Sequence, residues 1–120
     1  MSRLPAQTDV FVVGGGPAGL AAALAVRQQG LSVVVADRAQ PPIDKACGEG
    51  LMPDGVAALR RIGVELGTEH GVSFRGIRFL DGKQSAEATF PEGHGVGIRR
   101  LRLHRLLQEH AEKAGVALHW

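Results

Sequence analysis

At 120 residues and 44% hydrophobic side chains, the chain is sized for one domain with a modest core, and disorder does not fit. Four Phe, one Trp and no Tyr exclude the aromatic platforms on which single-stranded nucleic acid stacks, and the net charge of +2 is small. The single cysteine, Cys47, excludes an internal disulfide and a four-cysteine zinc site, as suits a reducing cytosol.

The first element in the chain is the short apolar strand 9–13, Asp9-Val-Phe-Val-Val13, which runs directly into Gly14-Gly-Gly-Pro-Ala-Gly19. An alanine-rich helix follows over 20–29, opening near Pro17, whose fixed φ and missing N–H suit a first helical position. Gly30 stops it, and 31–36 forms a second strand ending on Asp37. A glycine-rich hexapeptide alone is weak evidence. Strand, turn, helix and second strand in this order make it a nucleotide-binding signature. Gly14 allows the sharp turn out of the strand, Gly16 allows backbone to approach a pyrophosphate, and Gly19 allows helix and strand to pack closely. Pro17 and Ala18 belong to the same turn, and the helix start offers N–H groups and partial positive charge to phosphates. Asp37, 18 residues after Gly19, is placed to accept hydrogen bonds from a ribose.

The stretch 10–26 carries no charge, yet with four glycines, a proline and a preceding acid it is better explained as a nucleotide-binding turn than as a signal peptide or membrane helix. No targeting segment is visible, so the expected location is cytoplasmic, with no transmembrane segment.

Residues 40–50 form a loop by composition, with Pro41, Pro42, Gly48 and Gly50. A helix is predicted from Pro53 to about Ile62, ended by Gly63. Residues 74–80 alternate as one strand, Asp81-Gly82 marks a hairpin turn, and 84–90 returns. The glycines of 93–97 predict a flexible segment. An amphipathic helix is predicted over 100–114, with Leu103, Leu107, Ala111 and Ala114 on one stripe. Gly115 caps it, and 116–120 begins a further strand of parallel type. The five histidines lack ligand spacing, and His104 and His110 point to different helix faces, so no metal site is expected. Arg102 and Arg105 read as a solvated face, and nucleic acid is not an expected partner. Arg100 stands at a helix start, where the dipole prefers acids, and a bound anion would account for it.

The spacing also extends beyond the hexapeptide. Ala23 lies four residues after Gly19 and Gly30 seven after that, which resembles the amino-terminal fingerprint of FAD-dependent oxidoreductases. The block from Asp44-Lys-Ala-Cys-Gly-Glu-Gly to Gly63, and the block Arg100-Leu-Arg-Leu103, Leu107, Ala111, Gly115-Val116, resemble the second and third blocks of a flavoprotein superfamily. It contains the para-hydroxybenzoate hydroxylase-like monooxygenases, the geranylgeranyl reductase-like proteins and the flavin-dependent halogenases. The resemblance implies an α/β fold, with a Rossmann-type parallel sheet, an inserted antiparallel β-hairpin, and 1–120 as the amino-terminal portion of an FAD-binding domain that is itself incomplete.

It further implies FAD as cofactor, held by Gly14, Gly16, Pro17, Ala18, Gly19 and Asp37. Arg38, Lys45 and Arg100 are charge partners, with Arg99 as the alternative to Arg100. Flavin chemistry leaves no catalytic acid or base to assign. The implied activity is flavin-dependent oxidoreduction, with NAD(P)H or another donor reducing the flavin and dioxygen or an unsaturated substrate reoxidising it. Cys47 stands where many aromatic hydroxylases of the superfamily carry arginine, which leans toward the reductase-like branch. Alternatives are a flavin-dependent halogenase, a non-catalytic nucleotide-binding fragment and an NAD-dependent dehydrogenase.

Overall fold

The computed structural model describes residues 3–120, and these fall into two compact units. One comprises the residues up to Ala46 together with Arg100–Trp120, and the other Cys47–Arg99.

The first unit is the α/β body. Strands β1 (Val10–Val13), β2 (Val33–Ala36) and β8 (Ala117–His119) form a parallel sheet in the order β1-β2-β8. β2 lies in the middle, and its Val33, Val34 and Val35 are buried. That burial on both faces is what a parallel strand with β-branched side chains is built for. Helices α1 (Pro17–Gln28) and α3 (Arg100–Lys113) pack against each other. Their buried residues are Leu20, Ala23 and Leu24 on α1 and His104, Leu107 and Ala111 on α3. Alanines at Ala23 and Ala111, each wholly buried, leave room for close helix approach. Gly30 and Gly115 adopt the left-handed conformation that ends each helix. Arg27 joins the two helix ends, its Nε donating to the Ala114 carbonyl at 2.8 Å and its Nη1 to that of Leu31 at 2.8 Å. The entry to both strands is fixed by Asp9, whose carboxylate accepts from the Ser32 N–H at 2.8 Å and hydroxyl at 2.7 Å.

The second unit is antiparallel. β3 (Gly50–Leu51), β7 (Gly95–Gly97) and β4 (Val72–Phe74) form one sheet with β7 central. Helix α2 (Pro53–Arg61) packs on β7 and β3. β5 (Gly76–Asp81) and β6 (Gln84–Thr89) form the expected hairpin, closed by the two-residue loop Gly82-Lys83. Most of its side chains are exposed, including Phe79 and Leu80.

Two predictions are corrected. Residues 74–80 are not one strand: the ladder breaks at Arg75, so that β4 joins β7 while β5 joins β6. One alternating run thus serves two partner strands, and at the division the Phe74 ring packs on Phe90, with centroids 5.6 Å apart, and occupies the space beside Gly95. The glycine run 93–97 is a strand, with Gly95 and Val96 buried. A Cβ at Gly95 would run into the Phe74 ring, so this glycine serves close packing and not flexibility. Among the described residues no helix is long and apolar enough to cross a membrane.

Candidate nucleotide-binding site

The site grows from the carboxyl ends of β1 and β2, where ligands bind in open parallel sheets. Gly14 leaves β1 with φ +111°, a conformation reserved in practice for glycine, and its N–H donates to the Ala36 carbonyl at 2.8 Å. The turn is thereby tied to the end of β2. One residue on, Asp37 ties it a second time: Oδ2 accepts from the Gly15 N–H and Oδ1 from the Ala39 N–H, both at 2.9 Å. The Asp37 N–H itself donates to the His119 carbonyl at 2.9 Å, so all three parallel strands meet at this residue.

The Asp37 carboxyl titrates below its ordinary value. The Ala39 N–H is the largest cause, followed by the Gly15 N–H; removal from water opposes them, and the charge of Lys45 adds to them. The side chain is therefore an anion at neutral pH, with one further lone pair on each oxygen.

Gly16 is the N-cap of α1 in extended conformation and Pro17 its first residue. The Ala18 and Gly19 N–H groups have no acceptor within the helix. No acid lies in the first turn, so the positive end of the helix is not neutralised by its own sequence. Gly19 is sterically obligatory, because a Cβ there would run into the Gly14 carbonyl and approach Val12 Cγ1 to 3.2 Å.

Gly16 is different. A Cβ there would meet only Arg100 Nη2, at the ordinary distance of 3.6 Å. That neighbour is informative, because Arg100 opens α3, whose first turn also contains no acid. The start of α1 and the Arg100 guanidinium thus lie side by side at the glycine turn, an arrangement suited to an anion.

Of the residues read from sequence, Gly14, Gly16, Pro17, Ala18, Gly19, Asp37 and Arg100 are brought together here, and Lys45 acts on Asp37 through its charge. Arg38 is exposed beside Asp37. Arg100, not its neighbour Arg99, stands at Gly16. Cys47 is an exposed thiol in the other unit, where its Sγ accepts from the Glu49 N–H at 3.4 Å.

Sequence reading missed three participants: Gly15, His104 and Trp120. His104 is buried, with Nε2 2.7 Å from the Gly15 carbonyl oxygen. The Trp120 ring lies where a Gly15 Cβ would be and meets His104 edge-on, with centroids 6.1 Å apart. The available signal was helical spacing: Arg100, His104, Leu107 and Ala111 share one face of α3.

Over residues 7–120 the sequence matches the family described as FAD binding domain. The chain belongs to that family. FAD is accordingly the cofactor of this FAD binding domain, as the fingerprint implied. The menaquinone reductase of Mycobacterium tuberculosis is 36% identical over 114 residues, covering 92% of this chain and 28% of that protein. Rifampicin monooxygenase of Rhodococcus hoagii is 31% identical over 112 residues, covering 90% of this chain and 23% of that protein. Among solved structures, a geranylgeranyl bacteriochlorophyll reductase-like protein from Thermoplasma acidophilum superposes with TM-score 0.74 at 26% identity, over 92% of this chain and 29% of that one. The FAD binding domain described here therefore spans under a third of the length of each of these proteins.

Proposed function

We propose that residues 1–120 are the amino-terminal portion of the FAD-binding domain of a flavin-dependent oxidoreductase, of the reductase-like branch. The observation that carries the reading is the Arg100 guanidinium beside Gly16 at the start of α1, with the Asp37 anion at the adjacent strand end. Gly14, Gly16, Pro17, Ala18 and Gly19 would hold the diphosphate of FAD, and Arg100 would neutralise part of its charge. The remaining lone pairs of Asp37 would accept from the adenosine ribose. Lys45 and Arg38 add positive charge nearby.

FAD, when bound, supplies transfer of reducing equivalents from NAD(P)H or another donor to dioxygen or an unsaturated bond. This chain's own residues bind and orient it. Cys47 before Gly48, in place of arginine, and the higher identity to a menaquinone reductase (36%) than to rifampicin monooxygenase (31%) favour reduction of an unsaturated substrate over aromatic hydroxylation. An NAD-dependent dehydrogenase would have no use for the second and third sequence blocks.

The test is a fluorescence titration of the protein with FAD, with ADP and NAD⁺ as competitors. Saturable quenching of flavin emission, reversed by ADP and weakened in Asp37→Ala and Arg100→Ala, is the expected result. Displacement of FAD by equimolar NAD⁺ overturns the cofactor assignment.

A further inference from the structure

The glycine turn contains two successive peptide units that nothing in their own sequence holds in place. With no Cβ on Gly14, Gly15 or Gly16, each can rotate about its flanking bonds at little steric cost. The structure fixes both from outside the turn. The Gly14–Gly15 unit is held through its N–H by Asp37. The Gly15–Gly16 unit is held through its carbonyl by His104, from a residue 89 positions later in the chain.

The second contact has a directional consequence. A carbonyl oxygen can only accept, so Nε2 of His104 carries the hydrogen and donates it. In a planar trans peptide the carbonyl and the following N–H point in opposite directions. Drawing the Gly15 oxygen inward to the buried imidazole therefore aims the Gly16 N–H the other way, toward the outer side of the turn. Trp120 reinforces the arrangement by filling the space beside Gly15 and bracing the imidazole edge-on.

We propose that His104 is a positioning residue for FAD binding: by holding the Gly15–Gly16 peptide in one orientation, it presents the Gly16 N–H to the diphosphate. This rests on the FAD reading of the site, although the peptide lock itself is a property of the free protein. His104 does not touch the nucleotide. It acts through one backbone unit, which makes donor position the decisive quantity.

Three variants separate donor position from mere volume. His104→Gln places an amide N–H close to where Nε2 stands. His104→Asn carries the same amide too near the backbone to reach the Gly15 oxygen. His104→Phe fills the space without a donor. FAD dissociation constants are measured by flavin fluorescence, and amide hydrogen exchange at Gly16 is followed by NMR in the ligand-free 120-residue protein. The expected result is about tenfold weaker FAD binding in the Asn and Phe variants, as for loss of one oriented hydrogen bond. Their Gly16 exchange should change as well, while the Gln variant stays within about threefold of the starting protein in both readouts.

If the Phe variant does not fold, the Gln and Asn pair decides. Equal FAD affinity and equal Gly16 exchange in Gln and Asn overturns the proposal. A starting protein that fails to bind FAD withdraws the cofactor reading and the positioning role with it; altered Gly16 exchange in Asn, restored in Gln, then still supports the lock.

Discussion

Gly16 and Gly19 sit three residues apart in one turn, yet they answer to different constraints, and substitution tells them apart. Alanine at Gly19 collides with the Gly14 backbone, so Gly19→Ala is expected to cost about 1–3 kcal/mol or more in urea unfolding. Alanine at Gly16 meets only the end of Arg100 at 3.6 Å, so Gly16→Ala is expected to change stability by less than about 0.5 kcal/mol. Its effect falls on the ligand instead: FAD titration is expected to show affinity lower by about tenfold or more, because the methyl projects where the diphosphate approaches. Asp37 adds a pH signature. Its folded-state pKa is depressed, so the stabilisation from its two N–H bonds is complete above the ordinary carboxylate value of about 3.9 and disappears as pH falls through the lower folded value. Urea unfolding of Asp37→Asn beside the native protein is expected to show a gap at about pH 7 that closes toward about pH 3. The turn at Gly14 and the close packing at Gly19 were legible in sequence because their partners lie within one strand–turn–helix, as was the place of Asp37 at the end of β2. Gly15 and His104 were not, since nothing near Gly15 announces an imidazole and an indole arriving from the far end of the chain.

Among the elements, α3 shows what pattern reading captures. Its apolar stripe was visible as a periodicity, and Leu107 and Ala111 are indeed buried in the α/β body. Leu107→Ala is expected to destabilise that body by about 2–5 kcal/mol, measured as a shift of the urea transition. The parallel strands were equally legible, because the three valines of β2 lie in a short apolar run set between Gly30 and Asp37. The antiparallel unit was read less well. From sequence alone 93–97 reads as a flexible stretch, because glycine weakens strand propensity in the abstract. β7 is a strand because β3 and β4 pair with it on either side, and Gly95 is glycine there because Phe74 and the Leu51 carbonyl fill the space beside it; no local window contains that information. Division of 74–80 has the same origin: alternation specifies faces, whereas the choice of partner strand is a tertiary matter.

For the molecule as a whole, ligand and fold are linked by mass action. FAD at about 100 times its dissociation constant is expected to raise the unfolding free energy of the α/β body by about 2.7 kcal/mol, and the urea midpoint of that body reports it. The body is also discontinuous in the chain, since Cys47–Arg99 is interposed between its two parts. During translation, β1, α1 and β2 emerge with one flank of the sheet open and the α1 face uncovered. The strand that pairs with β2 begins at Ala117, some 80 residues behind it, or roughly 4–16 s at 5–20 residues per second. Through that interval the apolar face around Leu20 and Leu24 has no Leu107 or Ala111 to pack against. The order of synthesis thus places Arg100 and His104 well behind the glycine turn they serve, and a nascent chain arrested before α3 is expected to leave that turn without its imidazole lock.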